Sequence, residues 1–157
     1  MSKRVYVETS VISYPRARQS RDLVQAARQE MTLEWWQRRS RSFELFISAL
    51  VLQEAGQGDR RAAQDRLEAM EGLPLLDLTD EAVDLAEALL NEGPLPGKAV
   101  DDAVHLALAT VHEMDFLLTW NCRHLANAEL VGPAARLLRA KGYEPPVVCT
   151  PEELMGE

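Results

Sequence analysis

The chain has 157 residues, a formal net charge of −8 and a hydrophobic fraction of 46%. This length suits one domain that buries roughly two-thirds of its unfolded surface, and the apolar fraction excludes a disordered chain. No apolar run approaches the ~20 residues of a membrane span. Cys122 and Cys149 lack the spacing of a zinc site or of a disulfide framework.

The N-terminal apolar run is too short for the core of a signal peptide. We therefore expect a cytoplasmic protein without a membrane partner. We predict a single domain over residues 1–150, because no repeat or long linker divides the chain. A short polar tail over residues 151–157 follows the domain.

Apolar and β-branched segments alternate with segments of helical spacing. The first kind predicts strands at residues 4–8, 43–48, 73–78, 115–119 and 145–149. The second kind predicts a short helix capped by Thr9 or Ser10, followed by helices at residues 22–40, 49–55, 59–71, 79–91, 98–113 and 133–141. This alternation predicts an α/β fold with a central parallel sheet of four or five strands flanked by helices.

Four polar residues stand at the borders of these apolar segments. Glu8 and Asn121 end predicted strands, Glu54 follows another strand through a short helix, and Asp102 opens an apolar helix. Ligands of parallel sheets collect at the carboxyl ends of the strands. Carboxylate and amide oxygens are the ligands that Mg²⁺ and Mn²⁺ prefer. The sequence thus predicts a metal site of the kind that nucleases use.

Each of these residues also has a simpler explanation. Glu8 suits a helix cap, Glu54 a solvated helix end, and Asn121 a turn after a strand. Asp101 and Asp102 both complement the dipole of the helix that they open. Helical spacing turns Asp102 toward the packed side and Asp101 about 100° away. We therefore predict Asp102 as the ligand and Asp101 as a supporting residue.

The basic residues and the histidines leave alternatives open. The arginines of the N-terminal quarter form either a basic wall beside the acidic centre or a solvated helix face; they are Arg16, Arg18, Arg21, Arg28, Arg38, Arg39 and Arg41. The helix at 22–40 is expected to pack one face, which includes Leu23, Met31 and Trp35. The histidines lack zinc spacing and are interpreted as packing or surface residues: His105, His112 and His124.

Four segments together resemble a PIN domain. The opening VYVETSVISY (5–14) looks like the first motif of that family, in which an acidic residue precedes Thr or Ser. Three further segments resemble the second, third and fourth motifs of that family: SALVLQE (48–54), DAVHLALA (102–109) and LLTWN (117–121). Their order and spacing cover nearly the whole chain, whose size is similar to that of VapC-type toxins of type II toxin–antitoxin pairs.

The resemblance implies hydrolysis of RNA with Mg²⁺ or Mn²⁺ at the predicted site. Glu8, Glu54 and Asp102 would hold the metal, and Asn121 would ligate it or orient water. The supporting hydroxyls would be those of Thr9, Ser10 and Thr119, and the basic N-terminal segment would contact phosphates. A VapC-like protein would be a homodimer, neutralised by an antitoxin whose Arg or Lys fills the acidic site.

Two positions depart from the family pattern, and they support an alternative function. PIN domains usually carry Asp at the first and fourth positions, where this chain has Glu8 and Asn121. The longer Glu8 and the uncharged Asn121 should weaken or reshape the metal site. The alternative is a catalytically weak or inactive PIN-like module that binds RNA or protein. Metal binding discriminates between the two functions, because a binding module need not retain it.

Overall fold

A computed structural model describes residues 2–17 and 19–156, and every side chain among them except that of Arg16. Within these ranges, five strands form one parallel sheet in the order β3-β2-β1-β4-β5. The strands are β1 (Lys3–Val7), β2 (Phe43–Ser48), β3 (Leu75–Leu76), β4 (Phe116–Leu118) and β5 (Val147–Cys149). The predicted α/β fold with a parallel sheet is confirmed, although the third, fourth and fifth strands are shorter than predicted.

The sheet is flanked by helices, seven of them in the described ranges. They are α1 (Thr9–Ser13), α2 (Leu23–Arg38), α3 (Ala49–Ala55), α4 (Arg60–Ala69), α5 (Asp80–Asn91), α6 (Val100–Val111) and α7 (Ala128–Ala140). Short 3₁₀ turns at Tyr14–Arg16 and Ser40–Ser42 lie on either side of α2. None of the helices in the described ranges has the length and apolar composition needed to cross a membrane.

β1 is the centre of the core. Val5, Tyr6 and Val7 are fully buried, as expected for a central strand of a parallel sheet that is covered on both faces. β1 pairs with β2 on one side and with β4 on the other, so that Tyr6 lies between Phe46 and Leu117. The first strand therefore fixes the positions of the two strands beside it.

The strand order changes direction between β1 and β4. The chain builds outward from β1 through β2 to β3, and then returns to the other side of β1 with β4 and β5. Chains that leave neighbouring strands at such a point diverge and open a crevice at the carboxyl edge of the sheet. Glu8 lies at this point, where its backbone N–H donates to the carbonyl of Leu118 at 3.0 Å.

Two predicted helix starts are wrong. α1 is capped by the side chain of Glu8, which accepts from the N–H of Ser10, and not by Thr9 or Ser10. α7 begins at Ala128, behind the cap Asn127, and contains Pro133 in its second turn. Proline favours the first helical position, and this preference placed the predicted start too late.

The N-terminal half of α2 does not pack as predicted. Thr32 and Trp35 are fully buried, but Leu23 is 86% exposed. The helix therefore contacts the core with its C-terminal half, and the predicted apolar face ends before Leu23. At the other end of the chain, Leu154 is buried in the core. The division of the chain at residue 150 stays a prediction.

Candidate metal centre

Glu8 is a buried carboxylate at the carboxyl end of β1, with only 7% of its surface exposed. Its Oε1 accepts from the hydroxyls of Ser10 and Thr119, each at 2.6 Å, and its Oε2 accepts from the N–H of Ser10 at 3.1 Å. Hydrogen bonds to a charged acceptor offset the cost of burying it. The carboxylate therefore has a fixed position at the crevice.

Glu54 reaches the same place from the end of α3. Ser48 ends β2 and caps α3 by accepting from the N–H of Val51, so the helix begins directly where the strand stops. The Oε1 of Glu54 accepts from the hydroxyl of Thr9 at 2.6 Å and lies 2.7 Å from Nε2 of His105.

The environment of Glu54 favours its ionised form. Burial raises the pKa of Glu54, but the hydrogen bond and charge of His105 and the hydroxyl of Thr9 outweigh burial, so the pKa lies below its ordinary value. Glu54 is therefore a carboxylate at neutral pH, as a metal ligand must be.

His105 joins the acids, although the sequence analysis interpreted it as a packing or surface residue. It lies in α6, one helical turn after Asp102, and is 1% exposed. Its Nδ1 lies 2.6 Å from the hydroxyl of Tyr6, which in turn lies 2.7 Å from the hydroxyl of Ser48. Burial alone lowers the pKa of His105, but its hydrogen bond to Glu54 and the charges of Glu8, Glu54 and Asp102 raise it above its ordinary value.

The donor atoms of this cluster fit a divalent cation. One atom each from Glu8, Glu54 and His105 lies within 4.8 Å of the other two. Ligands at the ~2.1 Å distance of an octahedral ion stand about 3 Å apart when adjacent and about 4 Å apart when opposite. Two carboxylates and an imidazole therefore lie close enough together that they could hold one such ion.

Asp102 and Asn121 form a second group beside the first. The Nδ2 of Asn121 donates to Oδ1 of Asp102 at 2.8 Å, and Nδ1 of His124 lies 2.8 Å from Oδ2. The Oδ1 of Asn121 accepts from the N–H of His124 at 3.0 Å. Both oxygens of Asp102 and both ends of the Asn121 carboxamide therefore have protein partners. Their predicted roles as metal ligands stay predictions.

The residues predicted to support the site differ in position. Thr9 contacts Glu54, and Ser10 and Thr119 contact Glu8. Thr119 also accepts from the N–H of Asn121 at 2.9 Å, which connects the two groups. Asp101 is exposed, and no hydrogen bond to its carboxylate is found among the described residues. The structure thus brings three of the four supporting residues to the acids and leaves Asp101 apart.

One arginine of the predicted basic wall borders the loop that carries Asn121. The guanidinium of Arg28 lies 5.2 Å from the ring centre of Trp120 and 3.9 Å from the sulfur of Cys122. Arg38 pairs with Glu34, and Arg39 lies over Phe43, at the opposite edge of the sheet where β2 begins. Arg18 and the side chain of Arg16 lie outside the described residues. Among the arginines placed here, Arg28 therefore lies apart from Arg38 and Arg39, and the choice between a basic wall and a solvated face stays open.

His105, His124 and Tyr6 were not predicted as residues of the site. One signal for His105 was available, because a residue three positions after Asp102 lies on the same helix face. Tyr6 and Ser48 gave no comparable signal, because their pairing depends on the register between β1 and β2. His124 lies in a turn whose path could not be read from the residue pattern.

The comparisons with known proteins agree with this geometry. Residues 5–130, most of the chain, match the PIN domain family, and no curated protein matches the chain. The PIN domain is a nuclease fold whose members generally depend on divalent metals and act on RNA, and the cluster of Glu8, Glu54 and His105 could hold such a metal. On the extent of this match, the chain belongs to the PIN domain family.

Proposed function

We propose that this PIN domain protein is an endoribonuclease that hydrolyses RNA phosphodiesters with Mg²⁺ or Mn²⁺. The observation that carries the proposal is the convergence of Glu8, Glu54 and His105 at the carboxyl edge of the sheet. Clustered carboxylates without a counter-ion are costly to bury, and a cation removes that cost.

Each acid has a part in the proposed site. Glu8 and Glu54 bind the cation directly, and the hydroxyls of Thr9, Ser10 and Thr119 hold their carboxylates in place. Asp102 faces the same crevice from the first turn of α6. It holds the cation either directly or through a water molecule, and the carboxamide of Asn121 orients its carboxylate. The bound cation supplies charge stabilisation at the phosphate and activates water for attack.

We further propose that the protein is a VapC-type toxin. The support is the order of the four PIN motifs and the length of the chain. A homodimer and a cognate antitoxin, whose Arg or Lys occupies the acidic crevice, belong to this proposal. So does a cytoplasmic location, where RNA substrates are found.

One observation favours the alternative of a weak or inactive PIN-like module that binds RNA or protein. Both oxygens of Asp102 are engaged by Asn121 and His124, which partly compensates its charge without a cation. In an inactive module this arrangement would be permanent. Binding of RNA or protein, with little or no cleavage, would then be its activity.

The test compares two neighbouring acids. Purified protein with Mn²⁺ should cleave single-stranded RNA, and EDTA should stop the reaction. Asp102→Asn should reduce the rate by at least about 100-fold, the scale at which loss of a charge-stabilising group acts. Asp101→Asn removes the same charge one position away, from an exposed side chain, and should cleave at the wild-type rate.

The two variants also control for contamination, because identical purification gives both the same background ribonuclease. Equal rates for wild type and Asp102→Asn would show that the cleavage is not this protein's. RNA binding without cleavage, with Mg²⁺ and with Mn²⁺, would favour the binding module.

A further inference from the structure

His105 is a buried imidazole that points a nitrogen at the two carboxylates. Its side chain is 1% exposed, and its Nε2 lies 2.7 Å from Oε1 of Glu54. His105 lies within α6, one helical turn after Asp102, so the helix backbone fixes the position of the ring. A core histidine of this kind needs a partner for each nitrogen, and one of them faces an acidic crevice.

The other nitrogen faces a chain of hydroxyls that can accept its hydrogen. Nδ1 lies 2.6 Å from the Tyr6 hydroxyl, which can accept from the ring and donate to Ser48 at 2.7 Å. Ser48 can accept from Tyr6 as well as from the N–H of Val51. With the hydrogen on Nδ1, every group in the chain has a partner, and the lone pair of Nε2 points toward Glu54. Metal-binding histidines donate their other ring N–H to a partner of this type.

The distance between Nε2 and Glu54 suits two neighbouring ligands of one ion. Adjacent ligands of an octahedral ion with ~2.1 Å bonds are about 3 Å apart, close to the observed 2.7 Å. A carboxylate oxygen of Glu8, one of Glu54 and one ring nitrogen of His105 lie within 4.8 Å of one another. The same contact without an ion requires a proton between Nε2 and Glu54, so both atoms can bind a cation only when that proton leaves.

We propose that Nε2 of His105 is a metal ligand, together with the carboxylates of Glu8 and Glu54. The imidazole gives the site a nitrogen donor. First-row transition ions accept such a donor, Mn²⁺ least strongly among them, whereas Mg²⁺ takes oxygen ligands. His105 therefore biases the site toward transition ions and away from Mg²⁺. This inference deepens the proposed function, since it concerns the metal site on which that function rests.

The experiment reads the ligand directly from bound Mn²⁺. Electron spin-echo envelope modulation of the Mn²⁺-loaded wild type should show coupling to a ¹⁴N nucleus, and incorporation of ¹⁵N-histidine should replace it with the ¹⁵N pattern. The measurement needs no RNA. The same spectrum of His105→Gln should lack the coupling, whereas coupling that persists in this variant would assign the nitrogen to another histidine. Bound Mn²⁺ without nitrogen coupling in the wild type would overturn the assignment.

Affinities provide the second measurement. His105→Gln keeps an N–H that can reach Glu54 but removes the imidazole ligand, so the Mn²⁺ affinity should fall by at least the roughly 10–100-fold that loss of an outer-shell partner costs, and the Mg²⁺ affinity by less. His112→Gln is the matched control, because His112 lies beyond the far end of α6 and contacts the carbonyl of Asp77. It should bind both ions like the wild type. Equal losses of Mn²⁺ and Mg²⁺ affinity in His105→Gln would mean that His105 only positions Glu54.

The outcomes separate this inference from the proposed function. Nitrogen coupling in a protein that cleaves no RNA would overturn the ribonuclease function and support the ligand assignment. If Asp102→Asn abolishes Mn²⁺-dependent cleavage but bound Mn²⁺ shows no nitrogen coupling, the ribonuclease function is supported and the ligand assignment is overturned.

Discussion

At the scale of single residues, every acid of the crevice has donors of its own. Glu8 accepts from Ser10 and Thr119, Glu54 from Thr9, and Asp102 from the carboxamide of Asn121. Such charge-assisted hydrogen bonds keep buried carboxylates in one geometry. The longer Glu8 is therefore a positioned group, and the uncharged Asn121 is a donor that an aspartate could not replace.

The Asn121→Asp variant tests this account of the fourth motif. The substitution removes the hydrogen bond to Oδ1 of Asp102 and places a second negative charge about 3 Å from the first. We expect the metal-free protein to melt at a lower temperature than the wild type, and Mn²⁺ to raise its melting temperature by a larger increment. Thermal unfolding in EDTA and in Mn²⁺ measures both quantities. If the increment equals that of the wild type, position 121 does not contribute to metal binding.

How far the sequence predicts the site depends on the kind of residue. Glu8, Glu54 and Asp102 could be selected because each charge borders an apolar segment, and the structure brings all three to one edge of the sheet. His105 could not be selected with the same argument, because a histidine on an apolar helix face is usually a core residue. Its role depends on Tyr6 and Ser48, which come from two other elements.

At the scale of elements, the presence of each helix was predicted more accurately than where it ends or which of its side chains are buried. The cap of α7 is Asn127, but Pro133 drew the prediction to a later start. Leu23 was placed on the packed face of α2 by its spacing, yet this end of the helix extends past the core. Spacing gives the face of a helix but not how much of its length other elements cover.

The direction of α2 divides its arginines between two edges of the sheet. Arg28 lies beside Trp120 near the crevice, whereas Arg38 pairs with Glu34 at the far end of the helix. In an Asp102→Asn background that prevents cleavage, Arg28→Gln should weaken binding of single-stranded RNA and reduce its logarithmic salt slope by about 1. Arg38→Gln removes the same charge from the same helix and should change neither value. Salt titrations of RNA binding compare the two variants, and equal effects would mean that net charge alone governs binding.

At the scale of the whole molecule, the sequence predicts a parallel sheet but not the order of its strands. Alternating strands and helices require crossovers, and these give parallel pairing. Nothing in the residue pattern shows that β4 returns to the side of β1 opposite β2. That return creates the crevice, and it brings the chain after Thr119 to Glu8. The site was therefore predicted from residue types, and the strand order explains its position.

The acidic cluster also connects folding stability to pH. His105 faces Glu8 from β1, Glu54 from α3 and Asp102 from its own helix, and the net effect raises its pKa above the ordinary 6.5. Its stabilising contribution is therefore complete below that value and is lost as the pH rises through the folded pKa. The pKa of Glu54 is lowered from 4.5, so its contribution is present above 4.5 and is lost as the pH falls through the folded pKa. Burial raises the pKa of Tyr6, which stays neutral throughout this range.

The directions of these two pKa shifts predict that His105 and Glu54 together stabilise the metal-free protein most between their ordinary pKa values, 4.5 for Glu54 and 6.5 for His105. In EDTA, the melting temperature of the wild type should fall relative to that of His105→Gln as the pH rises above 6.5 and through the raised folded pKa of His105. Mn²⁺ should reverse the trend, because metal and proton compete for Nε2 and metal binding strengthens as the proton leaves. Thermal unfolding at several pH values, with EDTA and with Mn²⁺, measures both effects. Glu54→Gln serves as a second variant, since it removes the partner charge. If the melting-temperature difference between the wild type and each variant does not change with pH in EDTA, His105 and Glu54 do not titrate as a pair.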